Sequence, residues 1–344
     1  MRRYRPLALS AAALAVCYCV YGAIAISQNQ SGISPYPEGK IVRLDPRFDK
    51  LAPSEAKLEK LADGYHWVEG PVWNREGRFL LFSDIPSNSI IKWQEGKGAS
   101  LFLKPSGYTG TAPFTGREPG SNGLAYDRAG NLIVCMHGDR RVARREANGS
   151  FTTLADRYEG KRLNSPNDLA IKSNGDIYFT DPPYGLPKVY DDPGRELDFC
   201  GVYRLTPGGK LTLLTKEVRN PNGIAFSPDE KTLYVANSDS KRAIWMAFDV
   251  KSDGSIANGR VFKDVTEMTK DKKGVPDGLK VDRAGNLFAT GPGGVLVLAP
   301  DGTHLGSIET GVPTANCAWG DDGSTLYITA DKALLRIKLN TYGK

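Results

Sequence analysis

The sequence predicts an all-β fold, a six-bladed β-propeller whose last blade is closed by an N-terminal strand. Two observations carry this expectation. One pattern recurs six times along the chain, and the last copy is followed by too few residues to complete a unit like the others. A fixed repeat is the signature of like units that each bury their apolar faces against their neighbours.

The copies read EGPVWNREGRFLLFSDI from Glu69, SNGLAYDRAGNLIVCMH from Ser121, SPNDLAIKSNGDIYFTD from Ser165, PNGIAFSPDEKTLYVAN from Pro221, PDGLKVDRAGNLFATG from Pro276 and TANCAWGDDGSTLYITA from Thr314. Each joins a short apolar strand to a second strand of alternating β-formers. The turn between them is built on pairs such as Ala129-Gly130, Asn174-Gly175 or Asp322-Gly323, which is hairpin chemistry. Strand-like runs between the copies, VYRLTPGGKLTLLT from Val202 among them, bring each unit to about four strands in about 46 residues, the size of a propeller blade. Only ALLRIKL remains near the C-terminus to extend the last copy, so a strand within residues 41–62 is expected to complete that blade. No long helical periodicity interrupts the chain, which argues against alternating β-α-β units and against a second domain.

At 344 residues, 40% apolar with 38 glycines and 22 prolines, the chain is a turn-rich globular protein, and all-β folds of this length form single units. Residues 1–25 read MRRYR followed by an apolar run that ends at Ala23-Ile24-Ala25, the order of a secretory signal with a small-x-small cleavage site. The run is also long enough to serve as an uncleaved membrane anchor. The expected organisation is a signal or anchor over 1–25, a linker over 26–40 and the propeller over 41–344. The expected location is periplasmic or secreted, or membrane-tethered with the propeller outside the cytoplasm. Removing residues 1–25 takes away Arg2, Arg3 and Arg5 and lowers the net charge from +6 to +3, too little to argue for nucleic acid. Arg140, Arg141, Arg144 and Arg145 read as one solvated patch. Cys135, Cys200 and Cys317 are odd in number and lack metal spacing, and are expected as small buried residues.

Aligned on the first strand, the copies share a polar column: Glu69, Asn122, Asn167, Asn222, Asp277 and Asn316. The innermost strand of each blade lines the axial channel, so these six side chains are expected to converge at one mouth. Asn-Gly and Asp-Gly are also common turn pairs. Against that, Glu69 keeps the register although it forms turns poorly, and every copy already has a hairpin turn elsewhere. Two carboxylates with several amide oxygens, and no thiolate or imidazole, suit one hard divalent cation, Ca²⁺ rather than Zn²⁺. Glu69 and Asp277 would neutralise its charge. A second column at the end of the second strand, Asp84, His137, Asp181 and Asn237, is expected at the same mouth, touching either substrate or the first ring. Two stretches break the repeat, residues 103–120 and 182–200, and emerge at that mouth as a lid or rim, or as plain surface loops.

Taken together, EGPVW at Glu69, REPGSNGL at Arg117, SPNDLA at Ser165, PNGIAFSPD at Pro221 and PDGLKVD at Pro276 resemble the gluconolactonase, regucalcin (senescence marker protein) and luciferin-regenerating enzyme family over about residues 63–340. The resemblance implies a propeller with one catalytic divalent cation. Glu69, Asn167, Asn222 and Asp277 would be its ligands, and Asn122 and Arg117 would touch substrate. HGDRR at His137 is similar to bacterial gluconolactonases, in which the preceding residue is often acidic; Met136 stands there in this chain.

The implied reaction is hydrolysis of a sugar-type lactone, with the metal polarising the carbonyl and water attacking it. Asp277 is the first candidate for general base, although a metal-bound carboxylate is a weakened one, and His137 is the reserve. Asp181 joins Arg117, Asn122 and His137 as a candidate substrate contact. No Gly-x-Ser-x-Gly elbow is present, which argues against a serine hydrolase. An organophosphate or aryl ester hydrolase on the same scaffold and a non-catalytic binding platform are the alternatives.

Overall fold

The structure is a computed structural model that describes residues 33–343; the expected signal or anchor over 1–25 and much of the expected linker lie outside the described residues. Six antiparallel sheets surround one axis. Their inner strands are Val68–Asn74, Ser121–Tyr126, Leu169–Ile171, Pro221–Phe226, Leu279–Val281 and Thr314–Gly320, one from each repeat. Each packs against the next, and the last returns to the first, so the ring is closed. We number the blades 1 to 6 in that order.

Alternation along the strands builds the core. Successive side chains of a strand point to opposite faces, and in a blade both faces meet a neighbour. In the second strand of blade 1, Leu80 and Phe82 pack towards blade 6 while Leu81 packs towards blade 2. The second strand of blade 2 sends Leu132 and Val134 back to blade 1 and Ile133 and Cys135 on to blade 3. The same division recurs around the ring, giving one apolar cluster at each interface between blades. A one-residue slip of any second strand would exchange both of its faces, so the repeat specifies its own register.

Closure is as expected: Glu59–Ala62 pairs antiparallel with Ala333–Lys338 and supplies the fourth strand of blade 6. Two further N-terminal segments add outer strands. Ser34–Pro35 pairs with Glu59–Ala62, and Lys40–Arg43 pairs with the last strand of blade 5. Cys135, Cys200 and Cys317 are buried free thiols. Arg140 departs from the expected solvated patch. It is buried, and its guanidinium donates to the carbonyls of Leu163, Asn164 and Gly194, tying blade 2 to the segment 182–200. Among the described residues, no helix is long and apolar enough to cross a membrane.

Candidate active site in the axial tunnel

The polar column sits where the inner strands lose their regular pairing. The ladder slips between Glu69 and Val72 in blade 1, between Ser121 and Leu124 in blade 2, and between Pro221 and Ile224 in blade 4. A bulge re-aims a side chain, and here it turns the polar residue towards the axis. In blades 3 and 5, Asn167 and Asp277 precede the regular strand, and their N–H groups donate to the carbonyls of Thr180 and Thr290.

The glycines that follow these residues are not hairpin turns. A Cβ on Gly70 would lie 1.9 Å from the Asn122 carbonyl oxygen, one on Gly123 would lie 2.6 Å from that of Asn167, and one on Gly223 would lie 2.2 Å from that of Asp277. Each is glycine because the next blade's backbone occupies the space of a side chain. Hydroxyls of the second strands brace the same contacts: Ser83 donates to the Asn122 carbonyl, Thr180 to that of Asn222, and Thr290 to that of Ala315.

Five members of the column, Glu69, Asn122, Asn167, Asn222 and Asp277, line one cavity of about 250 Å³, together with Trp67, Ile85, Glu118, Tyr184, Ser238 and Val275. Four of them present a buried oxygen without a hydrogen-bond partner: Oδ1 of Asn122, Asn167, Asn222 and Asp277. Buried polar atoms are almost always paired, so four orphaned acceptors around one cavity mark a place for an electron-poor ligand.

The sixth member, Asn316, lies beneath the cavity. Its Nδ2 donates to Glu69 Oε2 at 3.0 Å and to Asp168 Oδ2 at 3.3 Å, and its Oδ1 accepts from Cys317 N–H and Lys280 Nζ. Asp168 and Lys280 were not singled out from the sequence. Asp168 could have been, because it stands in SPND where four other copies carry glycine. Burial, and then the Asp168 carboxylate, push the Glu69 carboxyl up to about 7. Burial, and then Glu69, hold Asp277 well above the usual carboxylate range. Burial and mutual repulsion favour the proton on these carboxyls, where a bound cation would favour charge.

The second column braces the first. Asp84 accepts from the N–H groups of His66 and Trp67, Asp181 from that of Asn164, and Asn237 from that of Asn220. Each therefore caps the segment leading into its own blade's ring residue. Asp181 is wholly buried and outside the cavity lining, and burial pushes its carboxyl up to about 7. His137 is also wholly buried and outside the lining, with Nδ1 3.0 Å from Glu118 Oε2. Arg117 is exposed and does not reach the cavity. The two interrupting stretches do reach it, the first through Glu118 and the second through Tyr184.

The donor set fits a hard cation. Among the described residues no group of three or more His, Cys, Asp or Glu side chains is gathered as a metal site. The ring instead offers amide and carboxylate oxygens with neither thiolate nor imidazole, the chemistry of Ca²⁺ rather than of Zn²⁺.

Comparison with known proteins agrees with this architecture. The chain is 41% identical over 312 residues to a gluconolactonase of Zymomonas mobilis, covering 89% of this chain and 87% of that protein. A solved gluconolactonase of Xanthomonas campestris superposes with a TM-score of 0.77 at 33% identity, over 90% of this chain and 97% of that one. A calcium-binding protein, regucalcin, of Agrobacterium tumefaciens shares the fold at 18% identity, with a TM-score of 0.65 over 83% of this chain and 94% of that one. Residues 67–332, all six repeats, match the SMP-30/Gluconolactonase/LRE-like region, and the chain belongs to that family.

Proposed function

We propose that this chain is a calcium-dependent lactonase that opens a sugar-type lactone to its hydroxy acid. The observation that carries the reading is the cluster of buried, unpartnered oxygens at the tunnel mouth in a chain 41% identical to a gluconolactonase. Glu69, Asn167, Asn222 and Asp277 would hold one Ca²⁺, which when bound supplies Lewis-acid polarisation of the lactone carbonyl.

The remaining work falls to the chain's own side chains. Asn122, whose Oδ1 is unpartnered in the same cavity, would accept a hydrogen bond from a substrate hydroxyl. Ser238 and Tyr184 add two more hydroxyls at the wall, while Trp67, Ile85 and Val275 supply the apolar surface that displaces water. Such a mix of apolar wall and few polar groups fixes the orientation of a small ligand. Asp277 has one oxygen in the ring, and a carboxylate that holds a cation has little affinity left for a proton. If residues 1–25 act as a secretory signal, the enzyme works in the periplasm or outside the cell.

The test is a panel of sugar lactones assayed with chelator and after Ca²⁺ is restored. Turnover that vanishes with chelator and returns with Ca²⁺ is expected; turnover indifferent to chelator would remove the metal from the reading, and none with any lactone would remove the reaction.

A further inference from the structure

We infer, on the lactonase reading above, that Glu118 accepts the proton of the attacking water and that His137 is the residue that positions it. Three carboxylates line the cavity, Glu69, Asp277 and Glu118. The first two belong to the ring and are committed to the cation. Glu118 comes from the interrupting segment before blade 2, stands outside the ring, and keeps 30% of its side chain exposed. It is the carboxylate of the cavity whose lone pairs no metal ion claims, which is the condition a general base must meet.

His137 stands behind it. The imidazole is wholly buried, and its Nδ1 lies 3.0 Å from Glu118 Oε2 at an angle short of hydrogen-bond geometry. Neither ring nitrogen has a hydrogen-bond partner, so nothing competes with Glu118 for the ring, and a small rotation of the carboxylate completes the bond, as catalytic contacts often tighten once substrate is bound. Backbone contacts fix the pair. Gly120 donates to the Ile85 carbonyl at 3.0 Å and accepts from the His137 N–H at 3.2 Å. A Cβ on Gly138 would lie 2.6 Å from the Pro119 carbonyl oxygen, and one on Gly185 would lie 2.6 Å from the His137 Cβ. The imidazole is thus clamped between both interrupting segments and can reach no substrate atom itself.

The step balances without a further reagent. Water gives one proton to the Glu118 carboxylate as its oxygen bonds to the lactone carbonyl carbon. The tetrahedral adduct collapses by breaking the bond between that carbon and the ring oxygen. The departing oxygen takes the proton from Glu118, the product is the open-chain hydroxy acid, and the carboxylate is restored.

The experiment compares the full chain with Glu118→Gln, His137→Gln and the double variant, measuring lactone kinetics at saturating Ca²⁺ and Ca²⁺ affinity by calorimetry. Glu118→Gln should lower kcat by about 10²–10⁴-fold while KM and the Ca²⁺ Kd stay within about threefold. His137→Gln should lower kcat by about tenfold and add nothing in the Glu118→Gln background, since the two act as a unit. A Glu118→Gln enzyme that keeps its kcat but raises KM makes Glu118 a binder of substrate hydroxyls and overturns the assignment. So does a loss of kcat matched by loss of Ca²⁺ affinity. Additive effects of the two substitutions overturn the role of His137. A wild-type chain inert to every lactone brings down the lactonase reading as well, whereas an active wild type with an equally active Glu118→Gln brings down this assignment alone.

Discussion

Asn316→Leu isolates the side chain on which the floor of the cavity depends. Leucine has a similar volume, so packing against the axis is largely kept and the loss is polar. The bond to Glu69 at 3.0 Å is charge-assisted and contributes about 1.5–3 kcal/mol; the longer contact to Asp168 at 3.3 Å contributes about 1 kcal/mol, and the buried N–H of Cys317 loses its acceptor at about 1 kcal/mol. The total is about 3.5–5 kcal/mol, a third or more of the stability of a typical domain. With a urea slope near the upper end of the usual range, about 3 kcal/mol per M, the unfolding midpoint should fall by about 1.2–1.7 M. The assay is urea denaturation of the metal-free protein at about pH 8.5, above the raised Glu69 value of about 7 so that this carboxyl is ionised, followed by intrinsic tryptophan fluorescence. A shift below about 0.3 M would mean that Asn316 does not hold the two carboxylates, and the account of the floor would be wrong.

Three further outcomes follow from the same geometry. Ca²⁺ at a hundredfold excess over its Kd should stabilise the protein by about 2.7 kcal/mol, and Glu69→Gln or Asp277→Asn should abolish most of that gain in a thermal melt. Because burial raises Glu69 from 4.5 to about 7, the folded metal-free protein holds its proton more tightly than the unfolded chain does. Its stability should therefore decline as pH rises from about 4.5 to 7, and a metal-free melting temperature that climbs over that window would refute the raised carboxyl. Gly223→Ala, whose new Cβ would stand 2.2 Å from the Asp277 carbonyl oxygen, should cost about 1–3 kcal/mol and weaken Ca²⁺ binding in calorimetry; unchanged affinity would show that blades 4 and 5 do not set the ring.

The blades were legible because each second strand carries two apolar faces in strict alternation, and because ALLRIKL left one blade visibly short. The ring was legible as a column, but its fine structure was not. Nothing local in TANC separates Asn316 from Asn222, yet one lies under the cavity and the other in its wall, since that difference depends on Lys280 and Asp168 arriving from other blades. His137 was read as a possible base from its titration range alone. Its burial behind Glu118 depends on contacts with Gly120 and Gly185 that sequence spacing does not encode. Glu118 and Tyr184 sit in segments that break the repeat, where no equivalent position in another copy could point to them.

The pairing of Glu59–Ala62 with Ala333–Lys338 orders events during folding. During synthesis, blades 1 to 5 can form as they emerge, but the latch must wait until Ala333–Lys338 has been made. Every ring residue belongs to a different blade, so an unlatched propeller holds the same side chains at the wrong spacing. Cation capture can then report ring closure directly, and refolding followed at once by backbone signal and by Ca²⁺ uptake should show uptake as the later event.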